Sequence, residues 1–166
     1  MVSFVSLPLF AGLIILQSAV ISRMPLLHGT ADLSLLVIIA WSFQEKVKNA
    51  WQWAVIAGIL GSLATALPFG TLAIAYLGAS TLTLALKRRV WKGPILAMLI
   101  ATLLGSLLFH ITSYLAVTTT GLIISPIQAI ELILLPGTLL NFLICIPVFI
   151  LVRDFANFLY PNELEV

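Results

Sequence analysis

Leu84-Ala85-Leu86-Lys87-Arg88-Arg89-Val90-Trp91-Lys92-Gly93-Pro94-Ile95-Leu96 decides how the rest of the chain is read. Lys87, Arg88, Arg89 and Lys92 form a basic knot between two long apolar runs, Thr71–Leu86 and Ile95–Leu108. Positive charge is held back on the cytoplasmic side as a membrane protein inserts, so the knot is expected to fix which way the chain faces. Every other polar residue then acquires a side of the membrane.

Composition points the same way. Hydrophobic residues make up 61% of the 166 residues and charged residues 8%, with a mean hydropathy of +1.19. These values lie far from those of soluble domains and imply an all-α polytopic membrane protein. At about 20 residues per span, little chain remains for a soluble domain, and the whole is read as one integral membrane domain over 1–166. The single cysteine, Cys145, excludes an internal disulfide and a cysteine-based metal cluster. The run Leu7–Ile21 follows no basic segment and precedes no small-residue cleavage motif, so it reads as a retained first span.

Working outward from the knot, polar and Gly/Pro breaks divide the chain into six predicted helices: 3–22, 31–44, 50–66, 70–86, 94–116 and 127–152. Pro25 and Gly29 end the first run, Pro68 and Gly70 turn the chain, and Gly93-Pro94 opens the fifth helix where a missing N–H costs nothing. Leu33–Phe43 is short for about 30 Å of hydrocarbon; it either crosses with flanking residues or inserts partly, shielded by neighbours. Charge favours crossing. With six spans, of the eight basic residues only Arg23 falls outside, while Lys46, Lys48, the knot and Arg153 fall inside. Both termini are then cytoplasmic. Trp41, Trp51, Trp53 and Trp91 flank the inner loops, as an aromatic belt would.

Two small-residue stripes stand out. Ala54, Gly58 and Gly61 recur on the third helix, and Ala97, Ala101 and Gly105 on the fifth. Such spacing lets backbones approach closely, either inside the bundle or against a partner's single helix. Polar residues within the spans are costly and suggest a site by default. Gln17, Asp32, His110 and Glu131 fall in the outer halves of their helices, and Asn141 lies nearer mid-membrane; together they form a candidate outward pocket, with Thr112, Ser113 and Tyr114 beside His110. Blander roles exist for each. Asp32 can cap a helix, Glu131 can reach the headgroups, and Asn141 can simply join two helices. The knot itself needs no partner beyond anionic lipid. Catalytic motifs and metal-ligand spacings are absent from the sequence, so no enzyme, cofactor, metal or nucleic-acid partner is expected.

Three stretches carry a resemblance to a known family. They are Leu16-Gln17-Ser18 with Leu26–Leu33, Gly58-Ile59-Leu60-Gly61 with Leu67-Pro68-Phe69-Gly70, and Leu135-Pro136 with Leu139-Leu140-Asn141, Pro147, Phe149 and Arg153. In order and spacing the chain resembles the MreD family of bacterial rod shape-determining proteins over nearly its whole length. It departs at Ser62, where the family often carries an acidic residue, and at Ala31, where a proline commonly precedes the aspartate. The resemblance implies a non-enzymatic component of the cell-elongation machinery in the cytoplasmic membrane. Its direct partner would be MreC, met through that protein's transmembrane helix, with MreB, RodA and PBP2 reached indirectly. The family is similar in fold to the substrate-binding S-components of ECF-type vitamin transporters, which supplies the rival expectation. Binding of a lipid-linked wall precursor is a third.

Overall fold

A computed structural model describes residues 2–19, 30–88, 93–122 and 124–160. It is helical, with no strand among the described residues. Among the described residues six helices follow one another: α1 (Val2–Ala19), α2 (Leu33–Phe43), α3 (Ala50–Ala64), α4 (Thr71–Lys87), α5 (Pro94–Thr119) and α6 (Pro126–Leu159). By length and composition α5 and α6 suffice to cross a membrane; the other four are shorter apolar helices. The boundaries match the sequence reading to within a few residues, apart from the end of α6. That helix continues past Val152 because Arg153 and Asp154 lie exposed on its surface, 3.4 Å apart, and interrupt nothing. The expected end of the first span, 20–22, lies outside the described residues, as do Arg23, Pro25 and Gly29.

The architecture is organised by α2. Its sequence, LSLLVIIAWSF, is apolar on every side, the pattern of a helix surrounded by protein. Ser34 through Ser42 are all buried, and each of the other five helices packs against it. Around it runs an open ring: α1 on α3, α3 on α4, α4 on α5, α5 on α6. The 11 residues of α2 rise about 16 Å at 1.5 Å each, too little to reach both ends of the bundle. Its start is therefore sunk level with Tyr76 of α4 and Asn141 of α6, both of which hydrogen-bond Asp32 at its N-cap. At its other end, the Lys87 ammonium donates to the Gln44 carbonyl at 2.7 Å and the Lys46 ammonium to the Tyr160 carbonyl at 2.7 Å. These bonds gather the α2–α3 loop and the ends of α4 and α6 at one basic end.

Both small-residue stripes are internal, which overturns the docking role offered for them. Ala54, Ala97 and Ala101 are buried. A Cβ on Gly58 would stand 2.3 Å from the Ala73 Cα of α4, and one on Gly61 would stand 2.8 Å from the Leu72 side chain. A Cβ on Gly105 would meet Ile39 of α2 at 2.8 Å. Close backbone approach, not an open face, is what these residues provide.

The tryptophan belt is also corrected. Trp41 and Trp53 are buried and stack at 3.9 Å with 17° between planes. Trp51 is 54% exposed, and Trp91 lies outside the described residues.

Two local features shape the opposite end. Gly70 adopts φ +89° at the Pro68-Phe69-Gly70 turn, where Thr71 bonds back to the Pro68 carbonyl through both N–H and hydroxyl. A side chain is strained in that left-handed region, so Gly70→Ala is expected to cost about 1 kcal/mol. The cost is read as a lowered melting temperature in detergent, against Gly12→Ala, whose Cβ has open space around it. In α6, Ile130–Leu134 widens into a π turn closed by the Leu135 N–H on the Ile130 carbonyl. Pro136 follows at once. Its ring would press on the Leu132 carbonyl in a regular α turn, and the wider turn relieves that clash.

Candidate functional site

At the end away from the basic loops, the sunken start of α2 leaves a cavity of about 580 Å³. Its polar lining comes from Gln17 of α1, Thr30 and Asp32 before α2, and His110, Ser113 and Tyr114 of α5. Its apolar walls include Leu67, Phe109 and Ile111, and the π turn supplies Ile130 and Ile133. Ile111 and Ile133 are about half exposed, at 51% for each, so the walls also face the bilayer side of the bundle.

Asp32 is the hub of the floor. One carboxylate oxygen accepts the Leu35 N–H at 3.0 Å, capping α2, and the other accepts the Tyr76 hydroxyl at 2.8 Å. The Asp32 N–H donates to Asn141 Oδ1 at 2.8 Å, and Asn141 Nδ2 donates to Ser106 Oγ at 3.0 Å. One chain of bonds thus joins α2, α4, α6 and α5. His110 Nδ1 lies 2.7 Å from the Ser106 carbonyl. A carbonyl only accepts, so Nδ1 carries a proton, and in the neutral ring Nε2 is then the acceptor. Gly137 makes room for that ring, since a Cβ there would lie 2.7 Å from Nε2 and 3.5 Å from the Thr30 carbonyl oxygen.

Of the five residues expected to converge, Gln17, Asp32 and His110 do. Asn141 is fully buried beneath the cavity and holds its floor without lining it. Glu131 does not join them: it is exposed, on the far side of the π turn from the lining residues Ile130 and Ile133. The capping and joining roles open to Asp32 and Asn141 hold together with the cavity. Tyr76, Ser106 and Gly137 were not anticipated. Ser106 had a signal, four residues before His110 on one helical face, and Tyr76 is the only aromatic residue in its apolar run.

A second cavity, about 330 Å³ and lined only by apolar residues and tryptophan, lies along the seam where α6 and α1 bound the ring. Leu13 and Leu16 of α1, Val37 and Trp41 of α2, and Val148 and Leu151 of α6 line it. Trp41 Nε1 is buried with no acceptor among the described residues. In the basic knot, Lys87 is half-buried and engaged with Gln44 while Arg88 is exposed; Arg89 and Lys92 lie outside the described residues. No protein-family model, curated protein or solved structure matches the chain.

Proposed function

We propose that this chain is a non-enzymatic membrane scaffold of the MreD type. In this reading it lies in the bacterial cytoplasmic membrane with both termini inside and holds the transmembrane helix of an MreC partner. Through that partner it couples MreB filaments to wall synthesis by RodA and PBP2. The observation that carries the reading is the apolar groove along the α1–α6 seam, where the central helix is reached from the side. Lipid and side chains are equally apolar, so helices associate in a bilayer by shape and by stray hydrogen bonds, not by water release. A groove of about 330 Å³ suits the knobs of one helix face laid along it.

Filling the groove tests this. Leu13→Trp with Leu151→Trp is expected to remove MreC from the complex purified in detergent. Leu63→Trp, on a 74% exposed face of α3, is expected to leave it bound. Undiminished MreC on the groove-filled protein would refute the assignment.

The outer cavity favours a second reading, the substrate-binding S-component of an ECF-type vitamin transporter. Six helices with a pocket away from the basic loops would suit such a subunit, and an ATPase pair would then co-purify in place of MreC.

A further inference from the structure

We propose that the cavity floored by Asp32 and His110 binds the ammonium group of an amphipathic amine whose apolar body lies against the Phe109 and Ile133 walls. The inference concerns the ligand of the outer cavity and stands whether the groove holds MreC or not.

The floor is built from acceptors. Asp32 accepts from the Leu35 N–H, the Tyr76 hydroxyl and the Ser34 N–H, and with about four lone-pair sites on a carboxylate an acceptor position remains. In the neutral ring His110 keeps Nε2 as an acceptor, because Nδ1–H is spent on the Ser106 carbonyl, and Thr30, also in the lining, carries a carbonyl near Gly137. Three nearby donors are committed elsewhere: the Tyr76 hydroxyl to Asp32, the Asn141 amide to Ser106, the Tyr114 hydroxyl to the Ile124 carbonyl at 3.2 Å. Ser113 Oγ, also in the lining, is buried with no partner among the described residues.

Charge points the same way. Asp32 is 6% exposed, and among the described residues the one ion pair is Arg153–Asp154, on the surface. A buried carboxyl group without a cation is costly, and the acceptors that Asp32, His110 and Thr30 bring to one lining match the N–H donors of an ammonium group. An anionic ligand would meet the carboxylate head-on. A wholly apolar one would leave Asp32, His110 and Ser113 unanswered. The volume of about 580 Å³ lies in the range of small-molecule sites, and Phe109, stacked with Tyr76 at 6.0 Å, gives a flat wall for a ring.

The same ammonium chemistry is offered by a free amine and by a phosphatidylethanolamine headgroup reaching in past Ile111 and Ile133. Equilibrium binding of radiolabelled tryptamine to the full chain in phosphatidylglycerol nanodiscs tests the site, and repetition with phosphatidylethanolamine added separates the sources. Saturable binding is expected, with indole-3-propionate and 3-ethylindole failing to compete. Asp32→Asn, which retains a capping oxygen, is expected to weaken binding about tenfold or more by loss of a charge-assisted contact. Ser113→Leu, which takes no part in the Asp32 hydrogen bonds, is expected to block the cavity and tests the site if Asp32→Asn does not fold. Displacement of tryptamine by phosphatidylethanolamine would assign the lipid headgroup; unaltered binding would assign a soluble amine. Absence of saturable binding in phosphatidylglycerol, equal competition by the propionate, or binding insensitive to whichever of the two variants folds would overturn the proposal.

Discussion

Gly58→Leu is expected to abolish the folded bundle. A Cβ at position 58 would stand 2.3 Å from the Ala73 Cα and 2.7 Å from its nitrogen, so the first added atom meets backbone, which cannot rotate away. Helices α3 and α4 would have to separate along one of the most extensive contacts in the molecule. Overpacking a core by a methylene group typically costs 1–3 kcal/mol through side-chain adjustment. A clash between two backbones has no such outlet, so a loss above about 3 kcal/mol is expected. Size-exclusion profiles of the detergent-extracted protein should show aggregation in place of a single peak. Gly12→Leu, with nothing within 4 Å of its Cβ, should migrate as the parent does. Release of a partner from an otherwise intact bundle by Gly58→Leu would mean that this face is open, contrary to the packing described.

Asp32→Leu is expected to have the next largest effect. It removes the side-chain cap of α2, worth about 1 kcal/mol. It also leaves the Tyr76 hydroxyl without its Asp32 acceptor in the middle of the bundle, at about 1–3 kcal/mol for an unmet buried group. A combined loss of about 2–4 kcal/mol is anticipated, seen as a lowered thermal midpoint. Asp32→Asn should recover most of it, because asparagine caps nearly as well. The diagnostic measurement is a double-mutant cycle. Adding Tyr76→Phe to Asp32→Leu removes the stranded hydroxyl and should cost less than the two single changes together. Strict additivity would show that the two residues do not depend on one another.

The number, order and approximate limits of the helices were legible because each break has a local cause: the Pro68–Gly70 turn, the Gly93-Pro94 start, the polar loop around Lys46. The sequence left open whether Leu33–Phe43 crosses with flanking residues or inserts partly, shielded by neighbours; burial of Ser34 through Ser42 is what the structure adds. Its consequence was not drawn from the sequence either: a short central helix leaves a hollow at one end, and Asp32 floors it.

Depth along the chain placed Gln17, Asp32 and His110 together correctly, since depth follows from rise per residue. It failed for Glu131 because facing depends on rotation about the axis: Pro126, Ala129, Ile130, Ile133 and Leu134 line the cavity at helical spacing, and Glu131 falls off that face. The small-residue stripes were ambiguous for a different reason. Ala54, Gly58 and Gly61 have the same spacing whether the neighbour is α4 or another protein; only the position of Ala73 decides. Trp41 and Trp53 misled because tryptophan serves an interfacial belt and a stacked core equally well.

In the proposed orientation α2 and its flanking residues carry the chain from one side of the membrane to the other, with the basic end in the cytosol and the cavity outside. Cysteine accessibility in intact cells tests this most directly, using Phe69→Cys beside the cavity end and Lys48→Cys in the α2–α3 loop, both at exposed positions. The buried Cys145 remains as an unreactive background. A membrane-impermeant maleimide is predicted to label Cys at position 69 from outside, and to reach Cys at position 48 only after the membrane is opened. Labelling of position 48 from outside, or protection of position 69 there, would contradict the orientation and with it the outward cavity.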